Sequence, residues 1–188
     1  MTTFGGLVAY NGRKAAQWCK IHAQDKQPFV DACAWFASNA LWQGGIEMTE
    51  TWHDREKEKV AQGTVLGTKV ARVADRLVTF LIQQEYAEAY PVYEAGSSWP
   101  QPELDRIIPN VRLGDLIAYK YYGASGYYNH VSVVVRIVRG VPYVAEWGTA
   151  HNPLMQCDYK SRRWDWSKNS DMSMATLYDL VVTHLSMQ

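Results

Sequence analysis

Charge of neither sign is in excess: nineteen Lys and Arg meet nineteen Asp and Glu, so the 188-residue chain has a formal net charge of zero. A nucleic-acid or anionic-membrane partner calls for a basic surplus, and both are disfavoured. Cysteine is sparse. Cys19, Cys33 and Cys157 are an odd set without C-x-x-C spacing, which argues against a disulfide framework and against a zinc site. No run of about 18 to 20 apolar residues is present to span a membrane. Residues 1–10 lack the positively charged opening of a secretory signal, so none is expected. Repeats and low-complexity tracts are missing too, which excludes a solenoid. These absences fit one domain over residues 1–188, a monomer that folds without metal, cofactor or disulfide, because a chain this long buries about 70% of its unfolded surface.

What the chain has is aromatic surface and one conspicuous helix. Eight Trp and twelve Tyr can pack a core or stack on sugar rings. The stretch Asp31-Ala32-Cys33-Ala34-Trp35-Phe36-Ala37-Ser38-Asn39-Ala40-Leu41-Trp42-Gln43-Gly44-Gly45 reads as a helix that starts at a cysteine and stops at a glycine pair. Cys33, Phe36, Ala37, Ala40 and Leu41 recur with helical spacing, so the thiol lies on the apolar face and could be an inert core group. Its place in the first turn favours a second reading. The unpaired N–H groups there stabilise a thiolate. Ninety-seven residues on, His130 opens a strand-like run to Val135, and an imidazole facing that thiol would take its proton.

Around these two blocks the spacing predicts a first helix over 11–22, a loop over 24–30 and, after the glycine pair, a solvated helix or loop over 47–59 holding Trp52 and His53. An amphipathic helix is expected over 68–84 and an irregular connection over 90–109. Residues 115–122 read as a strand, 123–129 as a Gly- and Tyr-bearing loop, and 130–138 with 141–147 as a hairpin turning at Arg139-Gly140. The stretch 156–174 is charged and contains Trp164 and Trp166, and 175–185 reads as a strand or short helix. The sum is an α+β domain with N-terminal helices on an antiparallel sheet.

A cysteine–histidine pair works best with a third group that accepts the second imidazole N–H and fixes the tautomer. A plain two-residue turn pairs residue 130 with 149 and puts Trp147 and His151 on the histidine's face. A longer loop or a bulge flips the parity and puts Glu146 there. Glu146 is favoured, because a carboxylate inside the apolar run Val144-Ala145-Glu146-Trp147 is costly unless paired. His151 falls in a loop before Pro153.

The blocks together resemble the putative amidase domain family, related to the CHAP and NlpC/P60 peptidoglycan hydrolases of papain-like fold. Residues 31–45 are similar to its Asp-Cys-Thr-Asn-Phe-Val-Ser-Gln-Ala-Leu-x-x-Gly-Gly signature, with Ala34 and Trp35 in place of Thr-Asn and Ala32 in place of the Asp. Tyr10-Asn11-Gly12-Arg13 matches its Tyr-Asn opening, and Leu113-Gly114-Asp115 with His130-Val131 matches its Gly-Asp and His-Val pair. The resemblance implies a papain-like cysteine hydrolase acting on amide bonds of peptidoglycan or a peptide, with Cys33 as nucleophile, His130 as base and Glu146 as orienter. CHAP domains carry a glutamate about sixteen residues after the histidine, whereas strict alignment drops the family's histidine onto Trp147. Gln27, six residues before Cys33, stands where papain-like enzymes place an oxyanion-binding glutamine. Trp35, Trp42, Tyr127, Tyr128 and Trp147 are candidate substrate contacts. Such a protein acts on the wall or in a target cell, reached by lysis, by specialised secretion or as a piece of a longer chain. A toxin of this kind implies an immunity or inhibitor protein as partner. A protein-directed cysteine protease or deamidase, and an inactive wall-binding module, are the alternatives.

Overall fold

The structure is a computed structural model and describes residues 10–29, 31–53, 58–60, 63–65, 67–84, 88–91, 108–121, 128–148, 159–163 and 175–182. Helix α1, Gly12–His22, starts where the sequence predicts: the Asn11 side chain accepts from the Lys14 N–H at 3.0 Å and caps it. Its buried face is Ala15, Ala16 and Cys19. Helix α2, Cys33–Gln43, departs from the one-faced helix expected. Nine of its eleven residues are buried, because Trp35 and Trp42 are covered on the side that periodicity leaves to solvent. Trp52 and His53 do the covering: Trp42 packs on both, Trp35 stacks on His53, and Trp52 is fully buried. Ser38, on the same helix, accepts from Trp52 Nε1 at 3.0 Å and donates to the Ala71 carbonyl at 3.2 Å, so its hydroxyl is satisfied inside the core. The segment expected to be solvated thus supplies a core tryptophan.

The helix predicted over 68–84 is broken. Short α3, Lys69–Arg72, ends at Val73, whose extended backbone turns the chain before α4, Ala74–Gln83, begins. Strands β1, Glu58–Val60, and β2, Gly63–Val65, form a separate antiparallel pair. The main sheet joins β3 (Glu88–Pro91), β4 (Leu116–Tyr121), β5 (His130–Val138), β6 (Val141–Glu146), β7 (Tyr159–Arg163) and β8 (Ala175–Val182) in the order β3-β8-β4-β5-β6-β7, with antiparallel pairing throughout. Sequence reading missed β1, β2, β3 and β7. Among the strands it expected, 175–182 resolves as β8. Helices packed on an antiparallel sheet make the chain α+β. Among the described residues, no helix is long and apolar enough to cross a membrane.

One face of the sheet carries Leu116, Ala118, Val131, Val133, Val135, Ala145 and Trp147 into a core shared with α1, α2 and α4. Burying each large apolar side chain there contributes about 1.5–3 kcal/mol. On the central strands Ile117, Tyr119, His130, Ser132, Val134, Val144 and Glu146 alternate with these and are buried as well.

Three of the sequence blocks meet at one joint. The Tyr10 hydroxyl donates to the Gly114 carbonyl at 2.8 Å, and the Asn11 N–H donates to the Gly44 carbonyl at 2.7 Å, which ties the start of α1 to the end of α2 and the start of β4. The backbones approach so closely that a Cβ on Gly12 would lie 1.8 Å from the Leu113 carbonyl oxygen. A Cβ on Gly114, whose φ is +88°, would lie 2.5 Å from the Gly12 Cα. Only glycine fits either place. Gly12→Ala should therefore cost about 3 kcal/mol by overpacking, and its melting temperature should fall by roughly 10 °C against wild type.

Candidate functional site

The turn into α2 lacks a side-chain cap. Asp31 adopts φ 59°, a left-handed conformation that aspartate tolerates, and Ala32 follows at the cap position. Alanine has no side-chain acceptor, and α2 has no side-chain cap hydrogen bond. The Ala34 N–H bonds to the Cys33 sulfur instead, together with the Val131 N–H and the His130 ring. Burial pushes the Cys33 thiol up. The charge of His130, its hydrogen bond and the two N–H groups outweigh that and hold the thiol below its ordinary range. Cys19 is the contrast. It is fully buried on α1, and desolvation drives it well above the ordinary range.

His130 opens β5 opposite Tyr119 of β4, whose ring lies 5.7 Å from the imidazole. Its Nε2 is 2.9 Å from Glu146 Oε2, so Nδ1 is the nitrogen available to the thiol. Glu146 is fully buried at the end of β6. How it reaches the histidine's face is a matter of register. Arg139 and Gly140 form a two-residue turn with positive φ at both positions, and the strands pair Val138 with Val141 and Arg136 with Tyr143. A bulge between Val134 and Arg136 then slips the register, so that Val134 faces Val144 and Val133 faces Ala145. One step further, Glu146 stands opposite Ser132 on the face that Ser132 shares with His130. The turn is the short one, and the bulge supplies the change of parity. The Ser132 hydroxyl donates to the same Glu146 Oε2.

Cys33, His130 and Glu146 are thus brought together in one hydrogen-bonded series. Gln27 lies half-buried in the loop between α1 and α2, with its amide oxygen turned away from solvent. Trp35, with 7% exposure, packs against Phe29, Trp42 and His53, which makes it a buried wall. Trp147, with 6% exposure, packs on Phe36 and donates its Nε1–H to the His22 carbonyl at 3.1 Å. Both tryptophans are largely buried and packed against aromatic neighbours. Tyr128 is half-buried against the core, and its N–H donates to Asp75 Oδ1 of α4 at 3.2 Å, which fixes the approach to His130. Tyr127, His151, Cys157, Trp164 and Trp166 lie outside the described residues. Sequence reading assigned no part to Ser132, although a lone hydroxyl in a valine run, two residues from His130, is a visible signal. Among the described residues no cluster of His, Cys, Asp and Glu could hold a metal ion.

A buried thiol below its ordinary range, bonded to an imidazole that is bonded in turn to a carboxylate, is an arrangement suited to nucleophilic attack on a carbonyl. The chain matches the putative amidase domain family over residues 9–177 and belongs to it. That membership suggests hydrolysis of amide bonds. No curated protein and no solved structure matches the chain.

Proposed function

We propose that the protein is a cysteine-dependent amidase of papain-like type, related to the CHAP and NlpC/P60 hydrolases, that cleaves amide bonds in peptidoglycan. The observation that supports this most is the series Cys33, His130, Glu146, with the thiol held below its ordinary range by its neighbours. The Cys33 thiolate attacks the amide carbonyl, and the N–H groups at the start of α2 stabilise the oxyanion, with Gln27 as a helper. His130 delivers its Nδ1 proton to the leaving amine, which departs and leaves a thioester on Cys33. The same nitrogen then takes a proton from water, whose oxygen attacks the thioester and releases the acid. Glu146 orients the ring and stabilises the imidazolium through both steps. One catalytic unit spans residues 1–188, it acts on a wall or in a target cell, and the bond cut lies within the peptide, because a papain-like groove accepts an extended chain on both sides of the thiol.

Digestion of purified sacculi with mass spectrometry of the soluble products tests this reading. Peptide fragments cut within the stem or cross-bridge are expected. Intact stem peptides beside bare glycan would move the cut to the lactyl–alanine amide. No soluble fragment would contradict the wall substrate.

A further inference from the structure

A buried carboxylate that serves a histidine has to stay ionised and in line, and a second hydrogen-bond donor favours both. Ser132 is fully buried on β5, stands on the face of His130, and donates a hydrogen bond from its hydroxyl to the carboxylate oxygen that already faces His130 Nε2. We propose that Ser132 is a positioning residue of this site: its hydroxyl holds Glu146 ionised and aimed at His130 Nε2, and through His130 it keeps Cys33 a thiolate. The inference rests on the cysteine-nucleophile reading above.

The physical case is one of donors. A serine hydroxyl given to a carboxylate oxygen favours the charged form of that carboxylate, and hydrogen bonds to charged groups are among the stronger kind. Two donors on one oxygen, from residues two apart on one strand, fix the carboxylate in two directions. Among the described side chains, the titratable groups that bear on Glu146 are His130 beside it on β5 and, through that ring, Cys33 on α2. Tyr119 of β4 adjoins the ring, and in the register of β7 Tyr159 stands opposite Glu146. The bulge before Arg136 sets the pairing that makes the contact possible, so register and chemistry are one device.

The test reads Cys33, not turnover. Iodoacetamide labelling of Cys33, followed by peptide mapping across pH 4 to 9, gives its apparent pKa in wild type, Ser132→Ala, Ser132→Thr, Glu146→Gln and the Ser132→Ala/Glu146→Gln double variant. In Ser132→Ala the midpoint should rise by about one pH unit, which is roughly tenfold less thiolate on the acid side. Ser132→Thr, which keeps the hydroxyl, should restore the wild-type curve. Because Ser132 works through Glu146, its removal should shift nothing further in the Glu146→Gln background. A Ser132→Ala curve that overlays wild type, or a full shift that persists with Gln at 146, would overturn the proposal. If Ser132→Ala yields no folded protein, Ser132→Cys replaces it as a weak donor of similar size, and equal curves for Cys and Thr at 132 would overturn the proposal as well. A wild-type Cys33 that fails to label below pH 7 is a different failure: it removes the nucleophile reading itself, and this inference with it.

Discussion

Cys33→Ala should lose amide-cleaving activity by roughly 10⁴-fold or more while the fold survives. In the proposed mechanism the thiol forms the covalent intermediate, and no other group of the series could replace it. Its structural share is small, since trading a buried S–H for a hydrogen costs about 1 kcal/mol. His130→Ala should fall by a similar factor, because in the proposed mechanism the base and the nucleophile act in one step. The double variant should be scarcely worse than either single one, and steady-state kinetics on a soluble peptide amide would measure this. Losses that multiply would mean that the two residues do not work as a unit.

Glu146→Ala should cut activity by about 10²- to 10⁴-fold, less than loss of the thiol but far more than an ordinary core truncation. Two donors, His130 Nε2 and the Ser132 hydroxyl, lose their acceptor together. The ring is then free to turn or to take the wrong tautomer, and the imidazolium loses its counter-charge. Glu146→Gln keeps an acceptor and loses only the charge, so its defect should be smaller. His151→Ala should be nearly silent. Turnover of the three variants on the same substrate gives the ranking, and a silent Glu146→Ala with a crippled His151→Ala would move the orienting role to His151.

The parts of the fold that sequence reading found are those governed by local rules. The start of the first helix near Asn11, the Gly44-Gly45 stop and the turn at Arg139-Gly140 are each marked by residues close in sequence. The thiol's position at the first turn and the histidine's at the head of a strand were visible for the same reason. The placement of Glu146 beside His130 was only half visible. Its face depends on a bulge at Val135, and in the run from Val131 to Val135 four of five residues are valine, so no polar alternation marks where the register slips. The break at Val73 has no glycine or proline to announce it. Trp52 sits among polar residues, and its burial is decided by Trp42, Phe80 and Ser38, which are distant in sequence. Tertiary packing overrides local pattern at each of these places.

The surroundings of Cys33 favour its thiolate, and the molecule carries its own control. Cys33 and Cys19 are both buried, yet His130 and two backbone N–H groups lower the first while burial raises the second. Because alkylation follows the thiolate, a group with a lowered pKa reacts well below the ordinary thiol range, and a group with a raised one does not. A brief pulse of iodoacetamide at pH 6 on the native protein, followed by mass spectrometry of the two cysteine peptides, reads both at once. The account predicts label on Cys33 and none on Cys19, with the Cys33 label lost in His130→Ala. Equal, negligible labelling of both cysteines at pH 6 would contradict it.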